Sequence, residues 1–383
     1  MESSKQALEL YQEQFGEGAK VFFSPGRINL LGEHVDYNGG FVLPAAINKG
    51  IWFAIAPNNS NTANFVAADI NESYSVEIDH IRKEDGWKNY VLGVLFVLIK
   101  KHYVIGGFNC VFGGNVPQGA GLSSSAALEA GLVYALNDLF SLGLNREQMA
   151  LLAQEAEHSF PGTKCGIMDM FASLHGKENN CMMLDCSSLQ YEYLPLELNE
   201  YELVLINTKV HHSLNDGQYN RCFQEAMEGL SFFQTLNSHV TSFRSLTTDV
   251  VNQFKDNLSP EVYDRCIYIT QEIDRTRRAA AYLKENDVIE FGKLMYQTHK
   301  GLSELYKVSC AELDFLVNEA KSKYDIIGAR MMGGGFGGCT INLIAKHNRE
   351  ELVAEIVSAY KNTFGIDAEV YVVQTSNGTH EIV

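Results

Sequence analysis

Polar side chains interrupt the apolar first quarter of the chain at one place, residues 24–40. This segment reads SPGRINLLGEHVDYNGG, so Arg27, Glu33, His34 and Asp36 stand among turn-forming glycines. The set offers both hydrogen-bond donors and acceptors, and each buried hydroxyl of a ligand needs both kinds of partner. The segment therefore indicates a site for a polyhydroxylated ligand.

Two other interpretations of this segment stay open. It could be a solvated loop with a local salt bridge. Glu33, His34 and Asp36 could instead hold a metal ion, although no further His or Cys is spaced to complete the ligand set.

A second segment, NVPQGAGLSSSAALE at residues 115–129, leads from a Gly/Ser loop directly into an Ala-rich helix. Unpaired N–H groups and the helix dipole at such a start suit a triphosphate, and a hydroxyl such as that of Ser125 can reach Mg²⁺. The segment lacks the Gly-Lys-Ser/Thr end of a Walker A motif, so it is not an ordinary P-loop. A serine-rich helix cap that binds nothing is the alternative.

A third segment, MMGGGFGGCT at residues 331–340, formally matches GxGxxG. A dinucleotide fingerprint opens a helix, but the strand-like run TINLI follows here. We therefore expect the glycines to permit close approach of the backbone to another loop or to a ligand. A purely structural hairpin is the alternative.

Apolar periodicity predicts the elements that must position these segments. The predicted strands are residues 21–24, 41–56, 64–78, 108–112, 201–208, 325–332, 340–345 and 369–374. The predicted helices are residues 125–140, 146–158 after the N-cap Asn145, 215–236, 260–284, 287–305, 310–323 and 349–364. This order favours two α+β domains over a regular βαβ array.

Composition limits the possible partners. The 383 residues carry 30 Lys and Arg against 47 Asp and Glu, a net charge of −17 with no dense basic run, which argues against nucleic acid or an anionic membrane. The first residues predict an amphipathic helix ending at Gly16, and apolar runs such as 90–99 are shorter than the roughly 20 residues that span a bilayer. Eight scattered cysteines without CxxC spacing suggest reduced thiols. We expect a cytoplasmic protein, and a monomer by default.

Taken in order, the three segments closely resemble the signature motifs of the GHMP kinases, and within them those of the galactokinases. The resemblance extends through WKNY at 87–90, AEHSF at 156–160, CGIMD at 165–169, FGKLM at 291–295 and VSCAELD at 308–314. It therefore covers nearly the whole chain.

The resemblance implies a two-domain α+β fold. Residues 1–185, completed by the C-terminal segment of about 368–383, would form an N-terminal domain with a mixed β-sheet and helices. Residues 186–367 would form a C-terminal α+β domain with an antiparallel sheet, and the active site would lie in the cleft between them. The implied reaction is transfer of a phosphoryl group from ATP to the C1 hydroxyl of galactose, with Mg²⁺ as cofactor.

The resemblance also assigns roles to individual residues. Asp169 matches the catalytic carboxylate of the family and Arg27 matches the arginine beside it. The sugar-binding positions are Glu33, His34, Asp36, Gly166 and Tyr219. The nucleotide positions are Gly119, Gly121, Leu122, Ser123, Ser124, Ser125 and Ala126, with Trp87 near the adenine. Ser125 and Glu157 match the magnesium site.

Some positions depart from the family pattern. Met170 stands where Gln is common, and Met332 where Thr is frequent before the glycine run. His211 replaces a frequent Arg, and Arg221-Cys222 stands where paired arginines are common. His211 could contact phosphate only when protonated, so its role stays open beside that of a surface-loop residue.

Two further functions compete with galactose phosphorylation. One is a kinase for N-acetylgalactosamine or another sugar, since the sequence does not define the pocket around C2. The other is a catalytically inactive sugar-responsive regulator. Such regulators can lack a Ser-Ala pair in the phosphate loop, whereas Ser125-Ala126 is present here.

Overall fold

The computed structural model describes residues 3–117, 119–211 and 215–382, except for the side chains of residues 211, 215 and 216. The strands of this part of the chain are β1 (Lys20–Asn29), β2 (Phe41–Val42), β3 (Pro44–Pro57), β4 (Thr62–Ala67), β5 (Glu72–Glu77), β6 (Phe108–Gly114), β7 (Asn180–Asp185), β8 (Tyr191–Pro195), β9 (Tyr201–His211), β10 (Ile326–Met331), β11 (Gly337–Ala345), β12 (Glu369–Val373) and β13 (His380–Ile382). The helices are α1 (Ser4–Phe15), α2 (Lys88–Lys100), α3 (Ser124–Leu139), α4 (Arg146–Ser159), α5 (Met168–His175), α6 (Asn215–Leu236), α7 (Thr248–Gln253), α8 (Pro260–Lys284), α9 (Val288–Glu304), α10 (Ala311–Lys321) and α11 (Arg349–Phe364).

The first sheet is mixed, with the strand order β13-β1-β3-β6-β4-β5. β4 runs parallel to β6, and the other neighbours are antiparallel. Successive residues of a strand point to opposite faces, so Phe22 and Phe53 pack in the core with α2, α3 and α4, while Val21 and Ala54 pack against α1. The sheet is therefore covered on both faces.

The second sheet is antiparallel, with the order β10-β11-β9-β12. All nine residues of β11 are buried, because side chains of α9, such as Phe291, pack in the core on one face and side chains of α10 and α11, such as Leu316 and Ile356, pack on the other. A third, small sheet has the order β2-β7-β8. The expected α+β fold, with one mixed and one antiparallel sheet, is confirmed.

The C-terminal residues are divided between the two large sheets. β12 pairs with β9 in the second sheet, and β13 pairs with β1 in the first. We therefore propose that the chain returns to the N-terminal domain after Val373. The sequence predicts this boundary earlier, at about residue 368. Thr379 anchors the returning chain, because its buried hydroxyl donates to the Ser173 carbonyl at 3.0 Å and lies 3.1 Å from the Ser24 hydroxyl.

Most of the predicted elements are present, with local differences. Asn145 caps α4 through a capping box with Gln148, as expected of an Asn before the first helical turn. The predicted strand at 64–78 is instead the hairpin β4–β5, and the predicted strand at 41–56 is split into β2 and β3. Helices α2 and α5 were not predicted. In the described part of the chain, no helix is both long and apolar enough to cross a bilayer.

Candidate active site

A cleft of about 740 Å³ opens where the segment after β1, the start of α3 and the β10–β11 loop meet. The predicted site residues in its lining are Arg27, Glu33, His34, Asp36, Trp87, Gly119, Gly121, Leu122, Ser123, Ser124, Ser125, Glu157, Asp169 and Tyr219. Ala126 is buried behind this surface, and Gly166 lies against the carboxylate of Asp36. Segments far apart in sequence thus meet around one space.

Arg27 and Asp169 form a two-point ion pair in the cleft. Nε of Arg27 donates to Oδ1 of Asp169 at 2.7 Å, and Nη2 donates to Oδ2 at 2.8 Å. Arg27 lies on β1 and is 4% exposed, while Asp169 lies in the first turn of α5. Gly26 permits this approach of β1 to the Gly119–Ser125 loop, because a Cβ there would lie 2.8 Å from the Leu122 carbonyl oxygen.

Ser123 connects this pair to the start of α3. It adopts φ 55° and, instead of capping the helix, its hydroxyl donates to Oδ2 of Asp169. The first N–H groups of a helix have no partner within the helix. Those of Ser124, Ser125 and Ala126 are therefore free of a side-chain cap beside the cleft, which argues against the interpretation of this segment as an ordinary serine cap.

The glycines of the β10–β11 loop allow that loop to contact the Gly119–Ser125 loop. A Cβ on Gly121 would lie 2.9 Å from the Met332 carbonyl oxygen, and one on Gly333 would lie 3.2 Å from Cα of Gly121. Gly121 and Gly333 have φ of 73° and 83°, values that glycine adopts without strain. The expected close backbone approach is confirmed, and the loop joins two strands instead of opening a helix.

Glu33 is held by the β10–β11 hairpin. Its Oε1 accepts from the Gly333 N–H at 2.6 Å and pairs with Nη1 of Arg330 at 3.3 Å, and its Oε2 accepts from Nδ2 of Asn29 at 2.6 Å. Burial alone would raise the pKa of Glu33, but Arg330 and Arg27 outweigh it and the pKa is lowered. Glu33 is thus an ionised group that connects the segment after β1 to the β10–β11 loop.

Arg330 is fully buried and bonds the segment after β1. Its Nε donates to the Leu30 carbonyl at 2.8 Å, Nη2 donates to the Asn29 carbonyl, and Nη1 donates to its neighbour Met331 at 2.6 Å. Sequence reasoning missed this residue. The available signal was a lone Arg in an apolar strand directly before the glycine run.

His34 is positioned by tyrosines. Nδ1 of His34 lies 2.8 Å from the Tyr37 hydroxyl, which lies 2.9 Å from the Tyr306 hydroxyl, and the Tyr219 ring is 5.4 Å away. Burial lowers the pKa of His34 to about 4, so the imidazole is neutral near pH 7. Tyr306 was not predicted from the sequence.

Asp36 lies directly against Gly166, where any Cβ would collide with the carboxylate. Burial, followed by the charge of Asp169, raises the pKa of Asp36 from 3.8 to about 7. The glycine at 166 is therefore a requirement of space.

Ser125 and Glu157 supply oxygen ligands of the kind that Mg²⁺ prefers. Both line the cleft, and burial raises the pKa of Glu157 to about 7, which a nearby cation would oppose. Glu129, fully buried beside Glu157, was not predicted.

Among the described residues, no group of three or more His, Cys, Asp or Glu side chains is arranged to hold a metal. The alternative metal site of Glu33, His34 and Asp36 is therefore not supported, whereas Mg²⁺ commonly takes one or two carboxylates and completes its shell with phosphate and water.

Three further residues were singled out from the sequence. Trp87 lines the cleft at the start of α2, and its Nε1 donates to Glu72 at 2.7 Å. Arg221 is bonded to Glu225 at 2.7 Å and is not part of the cleft lining. The side chain of His211 lies outside the described residues.

Comparisons with known proteins show the family of this chain. The family models of the GHMP kinase N-terminal and C-terminal domains match residues 89–177 and 279–363, and the galactokinase galactose-binding signature matches residues 9–57. The chain is 39% identical over 373 residues to a galactokinase of Clostridium perfringens, covering 96% of each chain. It is also 39% identical to one of Thermotoga petrophila, covering 94% of this chain and 99% of that one.

Solved structures show the same kinship. The structure of Lactococcus lactis galactokinase complexed with galactose matches with a TM-score of 0.95 and 33% identity, covering 99% of both chains. Mevalonate kinase of Methanococcus jannaschii matches with a TM-score of 0.66 and 20% identity, which shows the shared fold. The fold, the site and these relatives lead to one conclusion: the chain belongs to the galactokinases of the GHMP kinase family.

Proposed function

We propose that the chain is a magnesium-dependent galactokinase that transfers the γ-phosphoryl group of ATP to the C1 hydroxyl of galactose. The observation that carries the proposal is the Arg27–Asp169 pair, bonded to Ser123 beside the open start of α3. The galactose bound by the Lactococcus lactis relative supports the choice of sugar.

Asp169 would orient the C1 hydroxyl and take its proton. The sugar oxygen then forms a bond to the γ-phosphorus, the bond from that phosphorus to the β–γ bridging oxygen breaks, and ADP leaves with the electron pair. Such a transfer depends mainly on in-line positioning and on positive charge near the phosphoryl oxygens. Arg27 supplies fixed positive charge beside the attacking oxygen.

The triphosphate would lie against the Gly119–Ser125 loop. Uncapped N–H groups at the start of α3, together with the helix dipole, favour an anion there. The contact between Gly121 and Gly333 keeps this loop in place next to the sugar side of the cleft. Trp87, in the same lining, would lie near the adenine.

Ser125 and Glu157 would hold Mg²⁺ together with phosphate oxygens. When bound, the ion would neutralise charge on the phosphates. Glu129, next to Glu157, would keep that side chain in position.

The sugar would contact Glu33, His34, Asp36, Gly166 and Tyr219. These residues supply acceptors, a neutral imidazole and a phenol, which is the mixed set that sugar hydroxyls need. Gly166 leaves room for the Asp36 carboxylate.

An ADP-release assay with galactose, glucose, N-acetylgalactosamine and mevalonate tests the proposal. We expect Mg²⁺-dependent turnover with galactose and a product phosphorylated at C1 by NMR. Absence of turnover with galactose would refute the proposed function. Faster turnover with N-acetylgalactosamine would instead move the chain to another sugar specificity.

We also propose that the enzyme works as a monomer in the cytoplasm. All eight cysteines are unpaired, as is usual in a reducing compartment. Three of the exposed large apolar residues, Val104, Leu236 and Tyr324, lie on separate segments. Light scattering of the purified chain would test the oligomeric state.

A further inference from the structure

A second cavity, of about 480 Å³, lies between α7, α8 and α9, away from the site described above. Four arginines line it: Arg244, Arg275, Arg277 and Arg278. The chain as a whole carries a net charge of −17, so such a convergence of guanidinium groups runs against its overall charge. We call this space the arginine cavity.

Two of the four guanidinium groups already have carboxylate partners. Nη1 of Arg244 donates to Asp185 at 2.7 Å, and Nη1 of Arg275 donates to Glu272. The Arg275 side chain is only 10% exposed and lines the cavity. A guanidinium that lines a cavity presents hydrogen-bond donors to an anion bound there.

The other two arginines lack acidic partners. Arg277 lies over the Phe41 ring, with Cζ at 4.7 Å from its centroid, and Arg278 is exposed. Neither forms a hydrogen bond or an ion pair with the described residues. Arginine presents a planar set of donors that matches the oxygens of a phosphate group.

The remaining lining limits the kind of anion. Asp249 and Asp274 are exposed carboxylates in the same cavity, together with Gln271 and Gln297. Two carboxylates oppose the binding of polyanions, but carboxylate and amide oxygens accept hydrogen bonds from hydroxyl groups. The lining is thus suited to one phosphate group on a hydroxyl-bearing molecule.

We propose that the arginine cavity binds a small phosphomonoester that also carries hydroxyl groups. The phosphate lies between Arg275, Arg277 and Arg278, and the hydroxyls face Asp249 and Asp274. This ligand would touch the supports of the sugar-binding segment, since Glu272, the partner of Arg275, accepts from the Gly32 N–H at 2.9 Å.

Calorimetric titration of the full chain with glycerol 3-phosphate, inorganic phosphate and glycerol tests this proposal. Glycerol 3-phosphate should bind more tightly than either fragment. Arg278→Ala should weaken its binding by about tenfold, because one hydrogen bond between charged groups is lost. Arg278 is exposed and makes no contact that the fold needs, so thermal unfolding of the variant should match that of the wild type.

Lys300→Ala is the matched control, because Lys300 is an exposed cation on α9 that does not line the cavity. It removes the same charge and should leave the affinity unchanged. Equal affinity of wild type and Arg278→Ala would overturn the proposed site. Equal weakening in Lys300→Ala would reduce the effect to general electrostatics, and equally tight binding of inorganic phosphate would overturn the role given to the hydroxyls.

Discussion

Arg27 holds both carboxylate oxygens of Asp169, with Nε 2.7 Å from Oδ1 and Nη2 2.8 Å from Oδ2. Two parallel bonds fix the plane of the carboxylate as well as its position. The third nitrogen, Nη1, donates to the Gly121 carbonyl at 2.6 Å, so the same guanidinium also fixes the Gly119–Ser125 loop. One buried side chain thereby sets the distance between the proposed proton acceptor and the place proposed for the nucleotide.

Replacing the proposed proton acceptor should separate chemistry from binding. Asp169→Asn should fold and bind galactose but lose about 10²–10⁴-fold in kcat, because a positioned acid/base group contributes on that order. Steady-state kinetics and galactose titration would measure the two effects. Asp138→Asn, which removes a carboxylate bonded to Lys20 at 2.8 Å outside the cleft, should leave kcat unchanged. Near-normal turnover of Asp169→Asn would exclude this carboxylate from the reaction.

Gly121 and Gly143 have the same φ of 73°, so substitutions at these two positions separate the effect of backbone strain from the effect of contact between loops. Gly143 has open space around it, so Gly143→Ala should cost only the left-handed strain of about 1–2 kcal/mol. Gly121→Ala would also press against the Met332 carbonyl and shift the Gly119–Ser125 loop. We expect its kcat/KM for ATP to fall by about 100-fold, as small displacements of reacting groups can cause. Equal kinetic effects in the two variants would contradict the importance of this contact.

The buried pair of Arg330 and Glu33 should matter far more for stability than an exposed pair. Arg330→Met leaves an uncompensated carboxylate in the interior, which should lower the free energy of unfolding by about 3–5 kcal/mol in denaturant titration. The exposed ion pair of Lys361 and Asp367, which are 2.6 Å apart, serves as the matched control. Lys361→Met should change stability little, because water solvates both groups. Similar losses of unfolding free energy in the two variants would argue against a special structural role of the buried Arg330–Glu33 pair.

The raised pKa of Asp36 predicts a pH-dependent stability of the ligand-free protein. The folded state holds this proton up to about pH 7, whereas the unfolded state releases it near 3.8. The free energy of unfolding that Asp36 contributes therefore falls as pH rises from about 4 to about 7. The free energy of unfolding of Asp36→Asn, taken relative to that of the wild type, should therefore be higher at about pH 8 than at about pH 5. Exposed Asp256→Asn should show no such difference, and a flat profile for Asp36→Asn would contradict the proton assignment.

The sequence predicted the elements whose periodicity and caps are local. Asn145, for example, caps α4 as expected, and the glycine run lies between two strands. α2 was missed because the run at 91–98 is almost wholly buried and shows little amphipathic contrast. The 64–78 hairpin was missed because its turn at 68–71 contains no glycine.

In the site, the sequence indicated the three segments that surround the cleft. The sequence did not predict contacts that depend on tertiary packing. Arg330, Tyr306 and Glu129 are far in sequence from the residues they contact, and the one local signal was the position of Arg330 in an otherwise apolar strand. The hydrogen bond of Ser123 to Asp169 is of the same kind.

The pairing of β13 with β1 has a consequence for biosynthesis. β1 begins at Lys20, but its outer neighbour consists of residues 380–382, and the hydroxyl contacts of Ser24 include Thr379. A nascent chain therefore cannot complete this sheet until residues 380–382 have been synthesised and have left the ribosome, and the edge of β1 stays open until then.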